Sequence, residues 1–165
     1  MTPNKTLAAV CGLFCPSCGV YIATQEDPKR LELIAKRFGR APEEIACDGC
    51  RSARRFPFCA ECVMFRCANE KGLDFCGACE EYPCKDIQEF QAARPHRIEL
   101  WESQKRIKDV GFEQWFAEME AHYQCPQCQT INSAYDMTCR SCGATPSCTY
   151  VGQHRDEILP YLAPQ

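Results

Sequence analysis

Cys125-Pro126-Gln127-Cys128, ten further residues, and then Cys139-Arg140-Ser141-Cys142-Gly143 form the stretch that decides how this chain of 165 residues folds. Each Cys-x-x-Cys turn aims two sulfurs at one point, and two turns complete a tetrahedral four-sulfur shell. Pro126 and Gly143 suit the tight turns in which backbone amides point at the sulfurs. The residues between, 129–138, are long enough for a short hairpin. The pattern reads as a zinc ribbon in which Cys125, Cys128, Cys139 and Cys142 close the shell of a structural zinc, with no open position. A rubredoxin-like iron suits the same shell, but zinc is the default occupant. Cys148 is surplus to it.

Outward from this stretch the same turn recurs at Cys15/Cys18, Cys47/Cys50, Cys59/Cys62 and Cys76/Cys79, so twelve of the sixteen cysteines fall in six such pairs. Disulfide frameworks rarely repeat this spacing, and residues 1–10 lack the apolar region of a secretory signal. A reduced, cytoplasmic, metal-folded protein is expected. Composition agrees. Leu, Ile, Val and Phe supply only 30 residues, so the chain needs a staple. A structural zinc contributes about 10–16 kcal/mol of apparent binding energy, which becomes folding energy. The net charge of −3 is too small to argue for disorder. No apolar run approaches the roughly 18 residues of a membrane span, so no membrane association is expected.

Eleven cysteines lie between Cys11 and Cys84 and five between Cys125 and Cys148. Cys15/Cys18 is matched with Cys47/Cys50, and Cys59/Cys62 with Cys76/Cys79. The latter two pairs head an internal repeat, Cys59-x2-Cys62-x4-Cys67 and Cys76-x2-Cys79-x4-Cys84. This leaves Cys11, Cys67 and Cys84 as extra candidate ligands. Two models stay open. In the first, the chain holds about three zinc ions in thiolate sites. In the second, the ribbon holds one zinc and the N-terminal cysteines hold about two four-iron iron–sulfur clusters. The Pro and Gly placement favours zinc.

Asp27 as N-cap, Pro28 at the first position and Gly39 as stop define a helix over 28–38, with Leu31, Ile34, Ala35 and Phe38 on one face. Pro42 to Ile45 adds a helical turn. In the cysteine-free stretch, 86–93 reads as a short helix, and Ile98, Trp101 and Lys105 mark a second. Gly111 interrupts. Phe112, Phe116, Met119 and Tyr123 then form an apolar stripe flanked by Trp115. That stripe reads first as cover for the metal cores and second as a partner-binding face. The domain division is a cysteine-rich domain at 1–92, a helical connector at 93–123, the ribbon at 124–150 and a C-terminal tail at 151–165.

Charge is evenly spread, and a nucleic-acid partner is not expected. Arg51, Arg54 and Arg55, directly after Cys50, read as an offset to thiolate charge. Cys11, Cys15 and Cys18 have the Cys-x3-Cys-x2-Cys spacing of radical S-adenosylmethionine enzymes. Such an enzyme needs a barrel of roughly 200 residues or more, and no alternating strand–helix pattern is present. His96, His122 and His154 share no metal-type spacing with a carboxylate and read as surface or helix-end residues. No catalytic constellation is legible.

Several motifs together resemble a known family. They are Cys11-Gly12-Leu13-Phe14-Cys15 with Cys18 and Tyr21, Cys47-Asp48-Gly49-Cys50, Cys62 through Cys67 to Gly72-Leu73, and Cys76 through Cys79-Glu80-Glu81-Tyr82-Pro83-Cys84. This set resembles domain of unknown function 3795 over about Cys11 to Phe90. Gly111 to Trp115 and Tyr123 to Cys142 are similar to members with a helix and a ribbon after that domain, except that Gln129 stands where Gly commonly follows the second Cys. The resemblance implies a cytoplasmic, cysteine-ligated metal protein with no assigned activity.

The expectation is therefore a small metal-stabilised α+β protein: a cysteine-rich N-terminal domain, a helical connector and a C-terminal zinc ribbon. Its expected role is that of a non-catalytic metal-binding scaffold or adaptor with a protein partner. The alternative is an iron–sulfur protein for electron transfer or redox sensing, with the ribbon as docking module.

Overall fold

The computed structural model describes residues 1–91 and 94–162. Ten short helices follow in order: α1 (Gly19–Glu26), α2 (Pro28–Phe38), α3 (Pro42–Ile45), α4 (Pro57–Ala60), α5 (Val63–Glu70), α6 (Lys85–Gln91), α7 (Leu100–Val110), α8 (Phe112–Tyr123), α9 (Thr149–Gln153) and α10 (Arg155–Leu162). Helix α2 has the expected ends. Asp27 accepts from the Arg30 amide at 3.0 Å, Pro28 fills the first position, and Gly39 closes the helix in the left-handed region. The expected helix at 86–93 is α6, and its last two residues lie outside the described ones. Among the described residues no helix is long and apolar enough to cross a membrane.

The α+β expectation is overturned. Among the described residues no sheet forms; the extended pairing consists of two isolated antiparallel bridges, Ala8 with Phe14 and Gln124 with Ile131. The hairpin expected over 129–138 is replaced by a turn, for a reason carried by its polar residues. Asn132 is fully buried, donates to the Thr130 and Ser147 carbonyls at 2.9 and 3.2 Å, and accepts from the Arg140 amide at 3.1 Å. Asp136 accepts from the Ser133 amide at 2.8 Å. These side chains capture backbone groups that a strand ladder would have used.

The main core joins both ends of the chain. Phe14, from the first cysteine loop, packs edge-on against Phe116 with ring centroids 5.0 Å apart, and Tyr123 stacks on Tyr150 at 4.9 Å. Ala8, Phe75, Ile107, Ala134, Val151 and Ile158 complete this core. Residues 149–162, expected as ribbon end and tail, are thus helical and buried on one face. Trp115 sits at the core centre rather than flanking the stripe, at 1% exposure. Phe112, Phe116, Met119 and Tyr123 of the stripe pack in or against this core, to which Phe14 brings the first cysteine loop. Cys148 is buried in the same core, where it packs as a small apolar group.

Candidate metal centres

The C-terminal turns are built alike. The Gln129 amide donates to the Cys125 carbonyl at 2.9 Å, and the Gly143 amide donates to the Cys139 carbonyl at 3.0 Å. The residue after each second cysteine adopts positive φ, 62° at Gln129 and 78° at Gly143. The turns bring four sulfurs together: Cys125, Cys128, Cys139 and Cys142 Sγ all lie within 4.8 Å of one another. Cys125 and Cys142 Sγ are 3.6 Å apart, as are Cys128 and Cys139 Sγ. A tetrahedron with metal–sulfur bonds of about 2.3 Å has edges of about 3.8 Å. The spacing is that of a closed four-thiolate site for one metal ion.

Its electrostatics are mixed: Cys128 and Cys139 are held below the ordinary thiol value, whereas at Cys142 a lowering bond from the Ala144 amide is outweighed by the contacts with Cys128, Cys125 and Cys139, which push that thiol up to about 12. The Thr130 hydroxyl, and then the Thr130 amide, hold the Cys128 thiol down at about 6. Burial pushes the Cys139 thiol up, and the Cys142 and Ser141 amides more than offset it. Asn132 adds a contact to Cys139 Sγ at 3.7 Å. Arg30 of α2 ties the unit to the N-terminal half through Asp136 at 3.1 Å and Ser133 at 3.3 Å.

The eleven N-terminal sulfurs are arranged differently. Among the described residues no three of them converge at the spacing just given. They form two neighbourhoods. Cys15 lies within electrostatic reach of Cys18, Cys47 and Cys50. Cys59 lies within reach of Cys18, Cys47, Cys50 and Cys62, and Cys62, Cys67, Cys79 and Cys84 lie within reach of Cys76; Cys62 also acts on Cys50, so it links the two neighbourhoods. Cys11 lies between, near Cys50, Cys62 and Cys76. Backbone amides aim at these sulfurs: Leu13 at Cys11, Cys50 at Cys15, Tyr21 and Val20 at Cys18, and Val10 at Cys50. Burial nevertheless dominates. It raises Cys11, Cys15, Cys18 and Cys50 and pushes Cys59 and Cys76 up to about 12. A metal would have to displace those protons, so its binding is linked to pH.

Arg51 and Arg55 draw the Cys50 thiol down against its burial, the charge offset expected from sequence. Arg54 instead pairs with Asp48 at 2.7 Å.

Two residues that sequence reasoning missed hold the cysteine loops in place. Ser103 of α7 donates to the Gly12 carbonyl at 2.5 Å and accepts from Trp115 Nε1 at 2.9 Å. Gln104 donates to the Val10 carbonyl at 2.9 Å and accepts from the Gly77 amide at 2.7 Å. One helix thus pins the loop beginning at Cys11 to the turn beginning at Cys76. The only signal in sequence was two polar residues on the apolar side of an amphipathic helix.

The histidines serve structure. His122 and His154, at the ends of α8 and α9, both bond Glu99, at 2.9 and 2.7 Å. His96 Nδ1 lies 2.7 Å from the Tyr135 hydroxyl, and burial lowers its pKa to about 3.

A family model described as protein of unknown function (DUF3795) matches residues 7–89. The chain belongs to this family. No curated protein and no solved structure matches the chain. The DUF3795 match contains all eleven N-terminal cysteines and ends inside α6. The four-cysteine site at 125–142 and the α7 residues that grip the cysteine loops lie beyond it. DUF3795 membership therefore covers the N-terminal cysteine neighbourhoods and not the four-cysteine cluster at 125–142.

Proposed function

We propose that this chain is a non-catalytic metal-binding scaffold in which Cys125, Cys128, Cys139 and Cys142 hold a structural zinc and the N-terminal cysteines bind further metal through thiolates. The observation that carries this reading is the convergence of four sulfurs within 4.8 Å of one another, two pairs of them at 3.6 Å, close to the edge of a thiolate tetrahedron. A shell filled by four protein ligands leaves no position for substrate, so the zinc staples rather than reacts. It fixes the segment whose Ala134 and Cys148 enter the main core. A reducing, cytoplasmic setting and a protein partner belong to the same reading, since sixteen free thiols persist in such a setting.

The test is metal analysis of protein made without a metal-binding tag. About one tightly held zinc that a Cys128→Ser/Cys142→Ser variant loses is the expected result. Protection of these four cysteines from alkylation in the native protein, lost after chelation, supports it further. Full alkylation of all four in the native protein refutes it.

A further inference from the structure

Three buried side-chain polar atoms among the described residues have no hydrogen-bond partner: Arg55 Nε, Arg55 Nη1 and the Tyr82 hydroxyl. Buried donors are rarely left so, and each asks for an explanation. All three lie among the N-terminal cysteines. Arg55 is placed where its charge acts on Cys50. Tyr82 lines a cavity with Met64, Cys67, Cys76, Cys79 and Cys84. Lys71, at the same cavity, donates to Cys79 Sγ at 3.5 Å and pairs with Glu81 at 2.8 Å.

We propose that this cavity ligates an iron–sulfur cluster through Cys67, Cys76, Cys79 and Cys84, with the Tyr82 hydroxyl and the Lys71 ammonium as donors to its sulfurs. The inference rests on the preceding reading only in taking these cysteines as metal ligands. Three observations point to a cluster rather than a single ion. The four sulfurs line a common cavity, yet no three of them converge at the mononuclear spacing adopted by Cys125, Cys128, Cys139 and Cys142. A bare ion adds no acceptor, whereas inorganic sulfides place new acceptor atoms in the cavity for the unpaired hydroxyl. Donors to sulfur and a nearby cation offset the cluster's negative charge and set its potential.

The test uses full-length protein purified without oxygen and reconstituted with equal amounts of ferrous and ferric iron and with sulfide. Iron, labile sulfide and zinc are counted, and absorbance at about 400 nm is recorded. Wild type should hold iron and labile sulfide in equal amounts. A Cys76→Ser/Cys84→Ser variant should lose one cluster's share of both while its zinc stays. Tyr82→Phe should keep its iron and shift the midpoint potential downward in a dithionite titration, because a donor to sulfur has gone. This second variant reports even where the first fails to fold. Wild type without labile sulfide, or a double variant with the full iron content, overturns the cluster; an unmoved potential overturns the Tyr82 assignment. Loss of zinc from wild type with the cluster intact would refute the preceding reading and leave this one standing.

Discussion

Replacing Gln104 with Leu should detach the Cys11 loop from the Cys76 turn without leaving a large cavity. Gln104 is 1% exposed, and its amide serves two backbone groups that belong to different cysteine loops. The two losses differ in weight. The Val10 carbonyl keeps a second donor, the Cys76 amide at 2.8 Å, so it remains paired. The Gly77 amide has Gln104 Oε1 as its acceptor and would be left without one. An orphaned, partly buried amide costs about 1–3 kcal/mol, and since the Val10 carbonyl stays paired the loss should be about 2 kcal/mol. Gly77 is itself shaped to this contact, since a Cβ there would stand 2.6 Å from Gln104 Oε1. With a urea slope of about 2 kcal/mol per M, the unfolding midpoint should fall by about 1 M. Fluorescence of the buried Trp115 reports the transition, and metal content is matched between the two proteins first. Amide exchange at Gly77 should quicken together with the fall in midpoint. A midpoint moved by less than about 0.2 M, with Gly77 still protected, would sink the idea that α7 clamps the loops.

The remaining expectations concern single positions and pH. Gly49, at φ 113°, would carry a Cβ 2.6 Å from the Thr6 carbonyl oxygen; Gly49→Ala should cost about 2 kcal/mol or more and loosen the Cys47/Cys50 turn, seen as faster alkylation there. Gln129 holds φ 62°, a conformation that costs a non-glycine residue about 1 kcal/mol; Gln129→Gly should raise the unfolding midpoint, and a lower midpoint would count against strain in that turn. At Glu99, burial raises the carboxyl pKa, but hydrogen bonds from His122 and His154 bring it below the usual value; at His154, burial lowers the pKa and bonds to Glu99 and Glu157 raise it overall. The depressed carboxylate contributes stability above its unfolded pKa, about 4.3, and loses it as pH falls through the folded value. The raised imidazole contributes fully below about 6.5 and loses its share as pH rises through the folded value. The stability lost in Glu99→Gln should therefore be largest at about pH 5.5 and shrink towards pH 8.5; a difference constant over that range contradicts the pairing.

Legibility of the fold followed how local each signal was. Helix α2 was readable to the residue because its cap, its first proline and its closing glycine act within the helix itself. The four-cysteine site was readable because each turn is a local motif and only the pairing of two turns was long-range. Residues 129–138 misled because spacing permits a hairpin, and only the burial of Asn132 and its bonds to Thr130, Ser147 and Arg140 select the turn instead. Helix α1 carries no side-chain cap and only a weak apolar face, so sequence gave it no mark. The place of Cys62 between the two neighbourhoods was out of reach too. A repeat spacing says that two segments are alike and not which way each faces.

The boundary expected between a cysteine domain at 1–92 and a connector at 93–123 is a boundary in composition, but hydrogen bonding crosses it. The Gly12 and Val10 carbonyls and the Gly77 amide find partners on α7, beyond the residues that the family model spans. Phe14 finds Phe116 and Tyr123 on α8. A cysteine-rich segment spends its sequence on ligands and turns and has few apolar side chains left, so its loops expose backbone groups that must be paired from elsewhere. Ser103 and Gln104 supply those partners, and the apolar stripe of α8 covers what remains. The four-cysteine site fixes the chain just after α8, and α9 returns Tyr150 to stack on Tyr123. Metal held by those four cysteines would therefore steady the C-terminal end of the helix pair whose other residues grip the N-terminal cysteine loops.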